Sequence, residues 1–206
     1  MIEGCCDPGS GLLRSDLNDA ALELAAAGFA ELWHGRQPSP GDLLPGRGEA
    51  AAAVIEGLVA AGRAETDGGH LVGVHGLTLI PSRHRIEHAG RDHHTWCAFD
   101  AIGIPAALGL DATAHTDCPT CRRRLAVPIR AGVPGGAPGV VLWLPTAAGS
   151  HLRDEFCASA DLYCTIEHLD AKIDRNAVAG AVASLTDAAA LGRDTWADVT
   201  TLHLED

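Results

Sequence analysis

The 206-residue chain carries 27 acidic against 15 basic side chains, a formal charge of −12, with Lys172 its single lysine. So negative a surface repels phosphate backbones and anionic membranes, which argues against a nucleic-acid or membrane partner. Hydrophobic residues make up 47% and aromatics only 4%, so the core is expected to rest on aliphatic packing, in one unit or in a small and a larger one.

The opening Met1-Ile2-Glu3-Gly4-Cys5-Cys6-Asp7-Pro8 has neither a basic start nor an apolar run, and no later stretch is long enough to span a bilayer, so a cytoplasmic location is expected. Residues 1–15 read as a flexible tail whose Cys5 and Cys6 are incidental thiols. From Asp16 to Trp33, Leu17, Ala21, Leu24, Ala25 and Leu32 recur at helical spacing, and Pro38-Ser39-Pro40-Gly41 ends that helix. A second helix is predicted from Glu49 to Ala61, with Val54, Ile55, Leu58 and Val59 inward and Gly62 closing it. Asp67-Gly68-Gly69 then turns between extended runs at 62–66 and 70–79. Helices followed by a hairpin resemble a winged-helix module, but the helix that would enter DNA has Arg47 and Arg63 only at its ends and Glu49 and Glu56 within, so DNA binding is not expected.

Near Ile80 the Ala-rich texture gives way to Pro, His and β-like runs, which puts a boundary there: a helical winged-helix-like domain over 16–80 and a mixed-sheet domain with short helices over 81–206. Strands are predicted at 83–88, 124–129, 140–144 and 161–167. Helices are predicted at 95–108, bent or ended at Pro105, around 151–157, and from Ala177 to about Leu191. The class is α+β.

Seven cysteines is an odd number, and in a reducing compartment thiols serve as ligands or nucleophiles more readily than as disulfides. Cys97, in Trp96-Cys97-Ala98-Phe99-Asp100, and Cys157, in Glu155-Phe156-Cys157, each sit beside an aromatic residue. Two thiolates suit a soft ion in linear or trigonal coordination. Asp100 lies three residues after Cys97 in an apolar run, where burial would raise its pKa and let it hold a proton at neutral pH. His115, Cys118 and Cys121 form a second candidate metal site through Cys-x-x-Cys spacing. A closed site needs a fourth ligand and no second Cys-x-x-Cys exists, so the expectation is a turn with packed cysteines and no structural zinc. His84-x-x-Glu87-His88 formally fits an inverted zinc-protease motif, but Pro81 and Gly90 bracket it and the run reads as a strand. The remaining histidines, His93 and His94 included, are expected at the surface. Arg122-Arg123-Arg124 reads as a solvated turn or an ion-pair partner.

Trp96-Cys97-Ala98-Phe99-Asp100-Ala101-Ile102 resembles the Trp-Cys-Ala-x-Asp helix of the alkylmercury (organomercurial) lyases. Phe156-Cys157 is similar to that family's second Phe-Cys site, Gly76-Leu77-Thr78-Leu79 to its Gly-Leu-Thr-Leu run, and Cys118 falls where the family has a third, structural cysteine. The resemblance covers roughly residues 15–205. It implies protonolysis of a carbon–mercury bond without a required cofactor, mercury being substrate and product. Cys97 and Cys157 would hold the metal, Asp100 would deliver the proton and could also contact mercury, and Trp96 and Phe156 would wall the pocket. The implied partners are organomercurials, cellular thiols and a mercuric reductase. Where family members often carry Cys-Cys at the second site, Ala158 follows Cys157 here, which leaves two thiols and removes a spare ligand. Cys5, Cys6, Cys121 and Cys164 have no counterpart in the pattern. A second reading, a soft-metal sensor or sequestering protein that binds without turnover, shares the same clamp.

Overall fold

The structure, a computed structural model, describes residues 19–146 and 151–197. Helix α1 (Asp19–Trp33) buries Leu24, Ala25, Phe29 and Leu32 on one stripe. Its expected first residues, and the Cys5-Cys6 tail, lie outside the described residues. A single turn, α2 (Pro40–Leu43), follows Ser39, whose backbone N–H donates to Asp42 at 2.8 Å, and α3 (Gly48–Ala60) turns Ala51, Ile55 and Leu58 inward.

The hairpin of β1 (Ala64–Asp67) and β2 (His70–Val74) pairs Asp67 with His70 across Gly68 and Gly69. Both glycines have positive φ, 56° and 82°, the conformation a two-residue hairpin loop needs and L side chains resist. Strand β3 (Leu77–Thr78) pairs with β2 on one side and with β5 (Arg91–Thr95) on the other. The sheet therefore runs without a break across residue 80, joining the N-terminal hairpin to the strands beyond it. It continues through β4 (His84–His88), β6 (Ala112–Asp117), β7 (Arg124–Arg130) and β8 (Val133–Pro134), in the order β1-β2-β3-β5-β4-β6-β7-β8. A second sheet places β9 (Val141–Pro145) between β10 (Leu162–Tyr163) and β11 (Gly180–Ala183). All described pairings are antiparallel, and the fold is α+β.

Between the sheets runs α4 (Ala98–Ala107), with Ala98 to Ala106 buried throughout, and α6 (Leu185–Thr195) packs along it. Four details differ from the sequence reading. α4 starts at Ala98 rather than Thr95, and of the bend or end expected near Pro105 it shows the proline inside its last turn, two residues before it ends. The strand expected over 161–167 stops at Tyr163, because Thr165 accepts a hydrogen bond from the His168 N–H and starts α5 (Ile166–Asp170). The C-terminal helix begins at Leu185, where Ser184 and Asp187 cap it reciprocally. The small residues 180–183 before it form β11 instead, with Gly180 flat against the Trp143 ring. Among the described residues no helix is long and apolar enough to cross a membrane.

Two histidines expected at the surface, His75 and His93, are buried, and so is His84 on β4. His93 stacks on Trp33 with ring centroids 4.0 Å apart, aromatic area that the core has few other means of filling. His84 Nδ1 lies 2.7 Å from Thr116 Oγ1, and its Nε2 is 3.6 Å from Asp161. That carboxylate is already held by Arg83 at 2.7 and 3.0 Å. Burial first, then the charge of Arg83, push the His84 pKa down to about 3 from 6.5. The unfolded chain thus binds a proton between these values that the folded chain refuses, so the contribution is complete above about pH 6.5 and is lost as pH falls toward 3. Urea unfolding is expected to show about 2 kcal/mol less stability at pH 5 than at pH 7 from this residue alone. A His84→Gln variant should lose that part of the pH dependence; an unaltered acid limb would contradict the assignment.

Candidate active site

Cys97 is the N-cap of α4, in extended conformation with φ −145° and ψ 175°. Its backbone N–H donates to the Asp100 carboxylate at 2.9 Å, so the acid three residues on closes the first helical turn over the thiol. Cys157 arrives from the other side of the molecule on a π-helical turn, Arg153–Cys157, a wider turn often found at functional sites. Two backbone bonds fix that segment: Leu152 N–H to Ala61 O, and Ala98 N–H to Ala160 O, both 3.0 Å. The second ties it to the first residue of α4. As a result the two sulfurs and an Asp100 oxygen all lie within 4.8 Å of one another, and all three residues are buried.

Electrostatics keeps the two thiols protonated and brings Asp100 to titrate near neutrality. Desolvation raises the Asp100 pKa to about 7, against hydrogen bonds from the Cys97 thiol and from the backbone of Cys97 and Trp96 that favour the carboxylate. Desolvation likewise lifts the Cys97 thiol well above its usual range, with contributions from Cys157 and Asp100. For Cys157 the bond to Cys97 pulls downward, but desolvation and the nearby Asp100 outweigh it and the net shift is upward. Two neutral thiols and a carboxyl that titrates near neutrality can take one soft cation between the sulfurs, release thiol protons as it binds, and hold one of them on Asp100.

The approach to Asp100 is narrow. Gly76, at φ +84°, lies so close that a Cβ would stand 2.6 Å from the Asp100 carboxyl carbon, and its carbonyl accepts the Trp96 N–H at 2.9 Å. A cleft of about 280 Å³, counting the part open to solvent, is lined by Trp96, Phe99, Phe156, Cys157 and Trp196 beside Asp100. Phe99 meets Phe156 edge-on at 5.8 Å and Trp196 at 5.3 Å. The indole of Trp96 donates to Glu65, which also holds Arg153 at 2.6 Å, and Arg153 lies over the Trp96 ring at 5.4 Å. Trp96 and Phe156 therefore do border the cleft. Trp196 lines it with them, and Glu65 and Arg153 hold Trp96 from behind; none of the three stands out in the sequence. Arg153 has a faint signal, standing four residues before Cys157, whereas Glu65 lies on β1 with nothing to mark it.

The second cysteine group is composed differently from its sequence reading. His115 projects from β6 to Glu87, its Nε2 2.9 Å from Oε2, and takes no part. Cys118 and Cys121 instead meet Cys164 and His168, the four ligand atoms again within 4.8 Å of one another. The sequence signal for this set is the four-residue spacing Cys164-x-x-x-His168, directly after β10 and into α5.

A family model described as MerB, alkylmercury lyase, matches residues 77–197, more than half of the chain. The chain belongs to the alkylmercury lyase family. Every residue of the two thiol clusters falls inside that match. An alkylmercury lyase from Bacillus cereus is 29% identical over 132 residues, covering 61% of this chain and 58% of the relative. One from Streptomyces lividans is 30% identical over 125 residues, covering 57% and 56%. The chain thus spans somewhat over half the length of the curated alkylmercury lyases it matches. A crystal structure of the mercury-bound form of MerB2 superposes with a TM-score of 0.83 at 19% identity, covering 92% of this chain and 96% of the other, which is a likeness of fold.

Proposed function

We propose that this chain is an organomercurial lyase that cleaves R–Hg⁺ to hydrocarbon and Hg(II) by protonolysis. The observation that carries the reading is the buried convergence of Cys97, Cys157 and Asp100. R–Hg⁺ entering the cleft exchanges with the Cys97 thiol, whose proton passes to the hydrogen-bonded Asp100. Cys157 adds as the second sulfur and releases its proton to solvent. Donation from two sulfurs makes the mercury-bound carbon more basic, and the neutral Asp100 carboxyl protonates it as a general acid. Two thiols and R–Hg⁺ thus give RH, a mercury bis-thiolate and one free proton. The aromatic walls exclude water, and no resident cofactor enters the scheme.

Cellular thiols then draw Hg(II) off the sulfurs, and a mercuric reductase is the natural recipient. Cytoplasmic location suits both partners, and the acidic surface suits neither nucleic acid nor membrane.

The test is benzene release from phenylmercury under excess small thiol, followed by headspace gas chromatography. Many equivalents of benzene per chain are expected. One retained equivalent of mercury with no benzene would replace this reading with that of a sequestering protein.

A further inference from the structure

We infer that Cys118, Cys121, Cys164 and His168 form a closed tetrahedral zinc site, separate from the mercury-handling thiols, that pins the β6–β7 turn to the β10–α5 segment. The donor set is the first ground. Three sulfurs and one imidazole are a structural zinc set, and with four protein ligands no position is left for a substrate. The Cys97, Cys157 and Asp100 group, in contrast, has two sulfurs and an acid opening onto a cleft.

Spacing is the second ground. Zinc bonds of about 2.3 Å to sulfur and about 2.05 Å to nitrogen put tetrahedral S···S edges near ~3.8 Å and S···N edges near ~3.6 Å. The observed Cys121 Sγ–Cys164 Sγ separation is 3.5 Å and Cys118 Sγ–His168 Nδ1 is 3.8 Å. The Cys164 Sγ–His168 Nδ1 edge is 2.8 Å, and a rotation of either side chain by under an ångström, on the order set by those bond lengths, admits the ion.

The backbone around the cluster is arranged as a metal knuckle. N–H groups of Cys121, Cys164 and Thr120 are directed at the Cys118 sulfur, contacts that suit a thiolate and orient it. The loop turns back through Arg122, a non-glycine residue at φ +60°, with its N–H on Cys118 O at 2.8 Å and the Cys118 N–H on Arg123 O at 3.0 Å. Thr120 Oγ1 donates to His168 O at 2.6 Å, so the two halves are already joined beside the site. Three thiolates and a neutral imidazole on Zn(II) leave a net charge of −1, and Arg122-Arg123-Arg124 come directly after the second ligand.

Zinc is measured in the full chain purified without chelator under reducing conditions. About one ion per chain is expected. Cys121→Ser, at an exposed position, and His168→Ala should each lower it tenfold or more, while Cys97→Ser should retain it. Cobalt added to zinc-depleted wild type should give the thiolate charge-transfer and tetrahedral d–d absorption of a Cys₃His site, a readout that needs no variant to fold. Chelation should lower the melting temperature of wild type and leave that of Cys121→Ser unmoved. The inference is overturned if depleted wild type takes up neither zinc nor cobalt, or if zinc persists in both ligand variants or departs with Cys97→Ser.

Discussion

Asp100→Asn is expected to hold phenylmercury on sulfur while releasing benzene about 10³-fold more slowly, the range general acid catalysis supplies. The amide oxygen can still accept the Cys97 N–H at 2.9 Å, so the first turn of α4 and the cleft beside it should persist. What disappears is a group able to receive a thiol proton and return it to carbon. The same substitution should move stability in the opposite direction. The Asp100 pKa rises from 3.8 unfolded to about 7 folded, so the folded chain binds the extra proton in that window. The stability it contributes is present in full below about pH 4 and is lost as pH rises toward 7. Asparagine carries no charge to bury, so relative to wild type the variant should gain stability as pH rises from 4 to 7. Single-turnover benzene release, mercury stoichiometry and urea unfolding at two pH values together check this. Wild-type benzene release would remove Asp100 from the chemistry, and a variant that no longer binds mercury would reassign it to holding the thiols in place.

Cys97, Asp100 and Cys157 stand out in the sequence as thiols beside aromatic residues and an acid at helical spacing, and it is the resemblance to the alkylmercury lyases, not that spacing, that groups them; the glycine pair at 68–69 announces its own turn. Strands β5 and β6 are not legible, since Arg91–Thr95 is almost wholly polar and Ala112–Asp117 alternates small residues that carry little hydrophobic signal. Sheet position rather than composition decides the fate of such segments. It also buries His93, which a polar reading places outside. The zinc-type cluster is hidden for a related reason: His115 is near Cys118 in sequence, but on a strand alternate residues face opposite ways, whereas Cys164, just before the N-cap of α5, meets His168 inside its first turn. Glu65 and Arg153 meet only because the hairpin folds over the π-helical turn, a contact no local pattern encodes.

Gly192→Val is expected to be the most damaging single substitution away from the thiols, costing about 3 kcal/mol or more and lowering the melting temperature by roughly 6–12 °C. α6 approaches α4 through two glycines. A Cβ on Gly192 would stand 2.3 Å from the Gly103 Cα and 2.9 Å from its carbonyl oxygen, and one on Gly103 would meet the Trp196 ring at 2.4 Å and the Gly192 Cα at 3.1 Å. The obstacle at Gly192 is backbone, so no rotamer change relieves it and the helices must part. Parting them disturbs the thiol end as well, because Cys97 caps α4 and Trp196 both lines the cleft and donates to His75 O at 2.8 Å. Activity should therefore fall even at temperatures where the variant remains folded. Gly57→Ala, in α3 with nothing within 4 Å of a new Cβ, is the matched control. There the substitution only favours helix, by up to about 1 kcal/mol. Thermal melts of the two variants should shift in opposite directions, and a Gly192→Val melt that matches wild type would mean the two helices do not pack at this distance.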